Sequence, residues 1–274
     1  MSIPSELTDL KLTRRGAALF ITLDRPQAKN ALTAEMVSGL SELADALIAE
    51  TEVRVVVLRG AGATFCAGGD VKDFAKQMMA PDPAPGERDP VRDANRAFGT
   101  LLQKLDAIPQ VFVSVVEGAA FGGAMGFLSV SDVVIAAEGA RYSLSEATLG
   151  IPPAQIGPFV VRKIGLFNAR RLALTGARFE NDTALSVGLI DERVSAADIE
   201  LALKNWLNDV GRCDPAAVAA TKALMNRAAA TIDDAQLDAA ADDFVRCLRG
   251  QGRAGAMAFA ARQAPPWVED FSDD

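Results

Sequence analysis

The sequence of 274 residues contains no histidine. That removes histidine-based nucleophilic triads, imidazole metal ligands and imidazole general bases together. Proton transfer near neutral pH must fall to Glu, Asp, Lys, Tyr or Cys, and Tyr142 is the only tyrosine. Cysteine is scarce, with Cys66, Cys213 and Cys247 alone. An odd count at wide spacing gives neither a disulfide framework nor a zinc pattern, so no metal and a reducing, cytoplasmic setting are expected. No run of about 18 apolar residues occurs, so no transmembrane helix is predicted. The N-terminal MSIPSELTDLKL lacks the basic and apolar regions of a secretory signal. An excess of positive charge is also missing. The formal charge of −8 argues against nucleic acid or an anionic membrane as partner, while local basic sites for a small anion stay open. Nucleotide fingerprints are absent: Gly118, Gly122, Gly123 and Gly126 have the wrong spacing for G-x-G-x-x-G, and there is no Walker A loop.

What is present is α/β alternation. Half the residues are hydrophobic, enough for one full core. Strands are predicted over 7–13 and 17–23 around the Arg15-Gly16 turn. Thr33 reads as the N-cap of an amphipathic helix reaching about Glu50, with Met36, Leu40, Leu43 and Leu47 at helical spacing. Val53–Leu58 and Val111–Val116 are continuous apolar runs, the kind buried inside a parallel sheet. Each leads to a loop of small residues, Cys66–Asp70 after the first and Phe121–Ala124 after the second. Asp70 is placed to cap a helix over 71–79. Residues 80–90, rich in proline, read equally well as a flap or a passive surface loop. Further elements are predicted as a helix near 91–105, a strand over 132–137, a segment 157–165, a helix near 169–174 and a strand or turn over 187–194. From Ala196 the chain is Ala-rich and helical, which suggests a core over 1–195 and a helical region over 196–274.

Each small-residue loop can offer a free backbone N–H. Two such donors aimed at one point make an oxyanion hole, where losing one costs roughly 10²–10³ in rate. Taken singly, each loop is better explained by tight packing. Glu146 is a lone carboxylate in a turn, a place where glutamate is more often solvated or capping than catalytic. Glu117 and Asp132 flank strand ends and are expected to serve structure.

Six pieces occur in one order across residues 10–267: Leu23-Asp24-Arg25-Pro26 with Asn30-Ala31-Leu32, Phe65–Asp70, Glu117-Gly118-x-x-Phe121-Gly122-Gly123, Ser131-Asp132, Glu146-x-x-Leu149-Gly150 and Gly255–Phe259. In this ordered set the chain resembles the crotonase superfamily, the enoyl-CoA hydratases and isomerases. The resemblance implies an α/β fold, a ClpP/crotonase-like spiral of ββα repeats with a helical C-terminal oligomerisation region. It implies an acyl-CoA thioester as substrate, with CoA arriving as part of it and no other cofactor. The thioester oxygen is expected between the N–H groups of Ala67 and Gly123, with Glu146 as proton carrier. CoA is expected along Lys29, Ala31, Ala67, Gly68, Gly69, Asp70, Gly122 and Gly123. Phe259 and Arg262, on a last helix that crosses to a neighbouring subunit, complete the CoA contacts. Assembly is expected as a homotrimer or a dimer of trimers.

Typical hydratases of this family hold one water between two glutamates. The first lies three residues after the oxyanion glycine, and here that position is Gly126. The second aligns with Glu146. The stretches Ser145–Val161, Asn95–Gly99 and Arg170–Leu174 resemble hydratases of branched glutaconyl-CoA esters, the methylglutaconyl and isohexenylglutaconyl types. The reading is hydration of a 3-substituted glutaconyl-CoA by a single acid/base, Glu146. Apolar neighbours Leu144, Leu149 and Phe159 are expected to raise its pKa. A Δ3-Δ2 enoyl-CoA isomerase and a non-catalytic acyl-CoA-binding protein are the alternatives.

Overall fold

The computed structural model describes residues 3–4, 6–70, 72–73, 84, 86–228, 254, 258, 261, 263–264 and 266–269. The Arg15-Gly16 turn, with Gly16 at φ +52°, closes a hairpin of β1 (Leu10–Arg15) and β2 (Ala18–Leu23). Against β2 lies β3 (Val55–Gly60), parallel to it, followed by β4 (Val111–Val116), β6 (Val133–Ala137) and β9 (Glu192–Val194). The resulting six-stranded sheet has the order β1-β2-β3-β4-β6-β9. A second sheet is formed by β5 (Ala119–Phe121), β7 (Arg141–Ser143) and β8 (Arg178–Glu180).

The helices are α1 (Ala34–Leu47), α2 (Pro90–Ala107), α3 (Gly123–Val130), α4 (Gly157–Thr175), α5 (Asn181–Ser186), α6 (Ile199–Gly211) and α7 (Pro215–Ala228). Strand alternation explains how they are arranged. Val56, Leu58, Phe112, Val116 and Val134 face a core shared with Met36, Leu40, Leu43 and Leu47 of α1 and Leu101, Leu102 and Leu105 of α2. Their neighbours Val55, Val57, Val113, Val115, Val133 and Ile135 face Ile199, Ala202, Leu203 and Leu207 of α6. Burial on both faces is why these strands read as unbroken apolar runs. Helix starts follow the sequence: the Thr33 hydroxyl accepts from Met36 N–H at 3.2 Å, and Asp89 accepts from Val91 N–H at 2.8 Å.

The C-terminal end of α6 is held by a buried cation. Arg54 donates to the carbonyls of Val210 at 3.0 Å, Gly211 at 3.2 Å and Trp267 at 2.8 Å, and also to that of Cys213. A guanidinium satisfies the orphan carbonyls there and opposes the negative end of the helix dipole.

The segment 157–165 and the helix near 169–174 are two helical stretches that meet at a kink at Gly165 (φ +76°, ψ 155°) and are grouped here as α4. Glycine takes that conformation without a Cβ penalty, so the helix resumes beyond it. The strands β5, β7 and β8 were not anticipated, because three residues are too few to show alternation. The predicted helix over 71–79 and much of 80–90 lie outside the described residues. Among the described residues, no helix is long and apolar enough to cross a membrane.

Candidate active site

The site begins with a rigid frame around Arg25 and Asn30. Arg25 donates through Nη1 to the Ala31 carbonyl at 2.6 Å and to Asp70 Oδ2 at 2.9 Å, and its Nε lies 3.1 Å from Asp9 Oδ2. Asn30 is fully buried in a left-handed conformation, φ +54°. Its amide donates to the carbonyls of Ala61 at 2.8 Å and Thr64 at 2.6 Å and accepts from Arg25 N–H at 2.9 Å. Asparagine tolerates that backbone and supplies donors and an acceptor together. So the stretch 25–32 locks the start of the 61–70 loop. The hydrogen bond from Arg25, aided by Lys72 N–H, holds the Asp70 carboxyl below its usual range. That stabilisation is present above the ordinary carboxylate pKa and is lost as pH falls through the lowered one. Arg25→Ala is expected to cost about 3 kcal/mol, as for breaking a largely buried ion pair. A urea-unfolding midpoint within error of wild type would refute this.

Two loops lie side by side above this frame. Cys66 N–H donates to the Ala119 carbonyl at 2.9 Å, and Phe121 N–H to the Cys66 carbonyl at 3.0 Å. Beyond Cys66 the chain pairs instead with Leu32, as a parallel bridge between Leu32 and Gly69. Leu32 N–H donates to the Gly68 carbonyl at 2.8 Å, and Asp70 N–H to the Leu32 carbonyl at 2.9 Å. In such pairing the middle residue turns its own N–H away from the partner strand. Gly69 N–H therefore points away from Leu32, and among the described residues nothing accepts it. The expectation for Ala67 is overturned: its N–H is spent on the Lys29 carbonyl at 3.0 Å.

The second loop turns at Gly122 (φ +54°, ψ −121°), whose N–H donates to the Ser143 carbonyl at 3.0 Å. A side chain at Gly122 would start 3.5 Å from Glu146 Oε1, so glycine keeps that space clear. Gly123 is the first residue of α3, where an N–H has no partner within the helix. Its Cα faces Phe98 and Leu32, each 3.4 Å from where a Cβ would stand. At Gly68 (φ +99°), a Cβ would lie 3.1 Å from the Phe121 carbonyl oxygen and 3.8 Å from Gly122 Cα. The two loops thus meet with the N–H groups of Gly69 and Gly123 unused among the described residues.

Glu146 opens a 3-10 turn, Glu146–Leu149, that ends on Gly150 at φ +77°. The turn is pinned from beneath. Thr148 donates its hydroxyl to the Ser145 carbonyl at 2.6 Å, and Ser143 donates to the Gly176 carbonyl at 3.1 Å. Glu146 is half-buried, and its Oε2 is buried with no hydrogen-bond partner. Burial pushes its pKa up. Of the apolar neighbours expected to do this, Leu144 is buried and Phe159 partly so, but Leu149 is 63% exposed and contributes little. An unpaired carboxylate oxygen with a raised pKa beside two free N–H groups can move a proton at a carbon next to a polarised carbonyl.

A side chain at Gly126 would have to displace its neighbours. A Cβ there would stand 2.8 Å from both Ile156 Cγ2 and Leu102 Cδ1. Gly126→Glu is expected to lower stability by about 1–3 kcal/mol through overpacking. It is not expected to raise hydration of straight-chain crotonyl-CoA. A variant as stable as wild type by urea unfolding, or one with raised crotonyl-CoA turnover, would contradict this.

The other candidates divide clearly. Lys29 is exposed in a left-handed turn, with its ammonium in solvent reach. The Ala31 carbonyl is taken by Arg25. Tyr142 is buried, donates to Asn181 Oδ1 at 2.8 Å and has its pKa raised by burial, so it cannot stand in for Glu146. Burial pushes the Cys66 thiol up to about 12, which removes it as a nucleophile. Asp132 accepts from Phe112 N–H at 2.7 Å, as expected of a strand-end carboxylate, while Glu117 pairs with Arg59 at 3.5 Å instead of binding a loop amide. Phe259 and Arg262 lie outside the described residues.

The fold and this pairing of backbone donors with a buried carboxylate define a class of site that polarises a carbonyl and moves a proton beside it. The chain belongs to the enoyl-CoA hydratase/isomerase family, which matches residues 13–270. It superposes on the solved structure of Pseudomonas aeruginosa AtuE with a TM-score of 0.90 and 45% identity, covering 95% of this chain and 100% of that one. It is 27% identical to the short-chain-enoyl-CoA hydratase of Clostridium acetobutylicum, covering 92% of this chain and 94% of the relative. It is 29% identical to the 2,3-dehydroadipyl-CoA hydratase of Escherichia coli, covering 79% of this chain and 81% of the relative. The crotonase fold expected from the resemblance is the fold observed.

Proposed function

We propose that this enzyme hydrates a branched enoyl-CoA of the 3-substituted glutaconyl type, with Glu146 as its single acid/base. The observation that carries the reading is the buried, unpaired Oε2 of Glu146, whose Oε1 lies beside Gly122, together with the filled space at Gly126. The thioester oxygen accepts from Gly69 and Gly123 N–H, which stabilises the enolate. Glu146 as carboxylate takes a proton from water as its oxygen bonds to C3. The resulting acid then gives that proton to C2, so the glutamate ends unchanged. One carboxylate can serve both steps because they follow one another through the enolate. The relative named a 2,3-dehydroadipyl-CoA hydratase supports a dicarboxylic acyl group as the substrate class.

Loss of enoyl absorbance on incubation with 3-methylglutaconyl-CoA is the expected result, and no loss at high enzyme overturns the reading. The Δ3-Δ2 isomerase alternative predicts conversion of a 3-enoyl-CoA with no label gained from isotopic water. Calorimetric binding of several CoA esters without turnover would instead mark an acyl-CoA-binding protein. The same reading includes a cytoplasmic homotrimer or dimer of trimers, with 196–274 serving assembly. Exposed Leu166, Phe167 and Leu174 on α4 give an apolar face for a second copy. Light scattering at a multiple of the 28.8 kDa chain mass is then expected.

A further inference from the structure

The two backbone donors have different surroundings. At Gly69 a Cβ would meet nothing within 4 Å among the described residues, so that side stands open. At Gly123 a Cβ would stand 3.4 Å from Phe98 Cζ, 3.5 Å from Phe98 Cε1 and 3.4 Å from Leu32 Cδ1. A Cα–Cβ bond at the start of a helix leans towards the N-terminal end, and the unpaired first N–H points out of that same end. The tip of the Phe98 ring therefore stands on the side to which the Gly123 N–H opens. A carbon–carbon bond is about 1.5 Å long, so Gly123 Cα lies within about 5 Å of both side chains, and no water fits in between.

The ring is held in this place from behind. Phe98 meets the fully buried Phe127 edge to face, with ring centroids 5.7 Å apart and planes at 81°. Leu102, one turn further along α2, fills the space at Gly126. Phe98 is still only partly buried, so some of its ring faces open space. Leu32 is placed by its backbone, which pairs with Gly69, while its side chain reaches Gly123. It therefore spans from one donor to the other. A hydrogen bond from an N–H to a developing oxyanion is worth far more where water is kept out, since water competes for both partners.

We propose that Phe98, with Leu32, keeps water from the Gly123 N–H and so sets the strength of that oxyanion donor. This rests on the hydratase reading above and adds to it the side chains that make the donor effective. Phe98 is a positioning residue in this scheme, because it acts through Gly123 and takes no part in bond making. What matters at position 98 is an apolar side chain long enough to reach Gly123, not an aromatic ring as such.

The test reads the enolate directly. Acetoacetyl-CoA loses its C2 proton to solvent to give an enolate with its own near-ultraviolet absorbance, and an oxyanion site favours that form. In wild type the enolate midpoint of the bound ester is expected at lower pH than that of the free ester. Phe98→Leu is expected to keep the wild-type midpoint, and Phe98→Ala to move it back towards the free value. In turnover of 3-methylglutaconyl-CoA, Phe98→Ala is expected to lower kcat about 10-fold with KM within a few-fold, less than the roughly 10²–10³ for a donor lost outright. Equal midpoints in wild type and both variants overturn the proposal, and so does a loss in Phe98→Leu as large as in Phe98→Ala. If Phe98→Ala does not fold, Phe98→Met and Phe98→Gln, alike in length, compare an apolar with a polar side chain at the same place, and equal midpoints in those two overturn it. If wild type binds acetoacetyl-CoA but hydrates no enoyl ester, the hydratase reading fails, while the midpoints still decide the role of Phe98.

Discussion

Glu146→Gln is expected to lower kcat by about 10²–10⁴-fold, the range of a positioned general acid/base. Affinity for a CoA ester should stay within a few-fold, because the amide keeps the shape and the backbone donors are untouched. The loss should fall in kcat, not in KM, since the group acts on the reacting proton and not on CoA. Retained turnover would remove Glu146 from the mechanism. Tyr142 and Cys66 could not then replace it, since one is bonded to Asn181 and both are pushed out of the working range by burial. Suspicion would pass to Glu117 or Asp70, each already paired with an arginine.

The same substitution has a consequence for stability. The Glu146 pKa is raised by burial. A raised folded-state pKa gives stability that is complete below the unfolded value and lost as pH rises through the folded one. Wild type therefore carries a penalty near neutral pH that Gln, which cannot ionise, does not carry. Glu146→Gln should melt higher than wild type at neutral pH, with the gap closing towards pH ~4.3, the ordinary glutamate value. A higher Tm paired with lost turnover is what a strained catalytic carboxylate predicts.

The long elements were legible from spacing alone because their burial is regular. β3 and β4 are apolar on both faces, and α1 shows its stripe and its Thr33 cap. What escaped the sequence was set by pairing across the chain. Ala67 and Gly69 are both small residues in one loop, and nothing local says which N–H is free. The answer depends on Lys29 and Leu32, far upstream, whose carbonyls take the Ala67 and Asp70 N–H groups, while the Gly68 N–H turns to Cys66 Sγ and Gly69 is left over. Likewise Asn30 reads as a turn residue until its amide is seen holding Ala61 and Thr64. Gly126 was recognised as a missing carboxylate, but only packing shows that Ile156 and Leu102 leave no room for one. Leu149 failed as a pKa neighbour because the 3-10 turn carries it outward, away from the carboxylate at its start.

The oxyanion donors can be tested without touching any acid or base. Gly123→Pro is expected to reduce kcat/KM by roughly 10²–10³-fold, the cost of one lost donor. Proline is suited to the first position of a helix, where its missing N–H leaves no helical bond unmade. Gly123 is that position in α3, so the fold should survive. The control is Gly123→Ala, which keeps the N–H and adds the same Cβ, 3.4 Å from Phe98 Cζ and Leu32 Cδ1. Crowding of a Cβ against those two side chains appears in both variants, while proline alone loses the donor and sets its ring Cδ in place of the amide hydrogen. A large gap in kcat between Pro and Ala, at similar Tm, places the thioester oxygen at the Gly123 amide. If the two variants fall together, crowding is responsible and Gly123 is not a donor. If neither falls, the thioester oxygen is held elsewhere, and the unused N–H of Gly69 would need another explanation as well, since one donor of the pair has no role without the other.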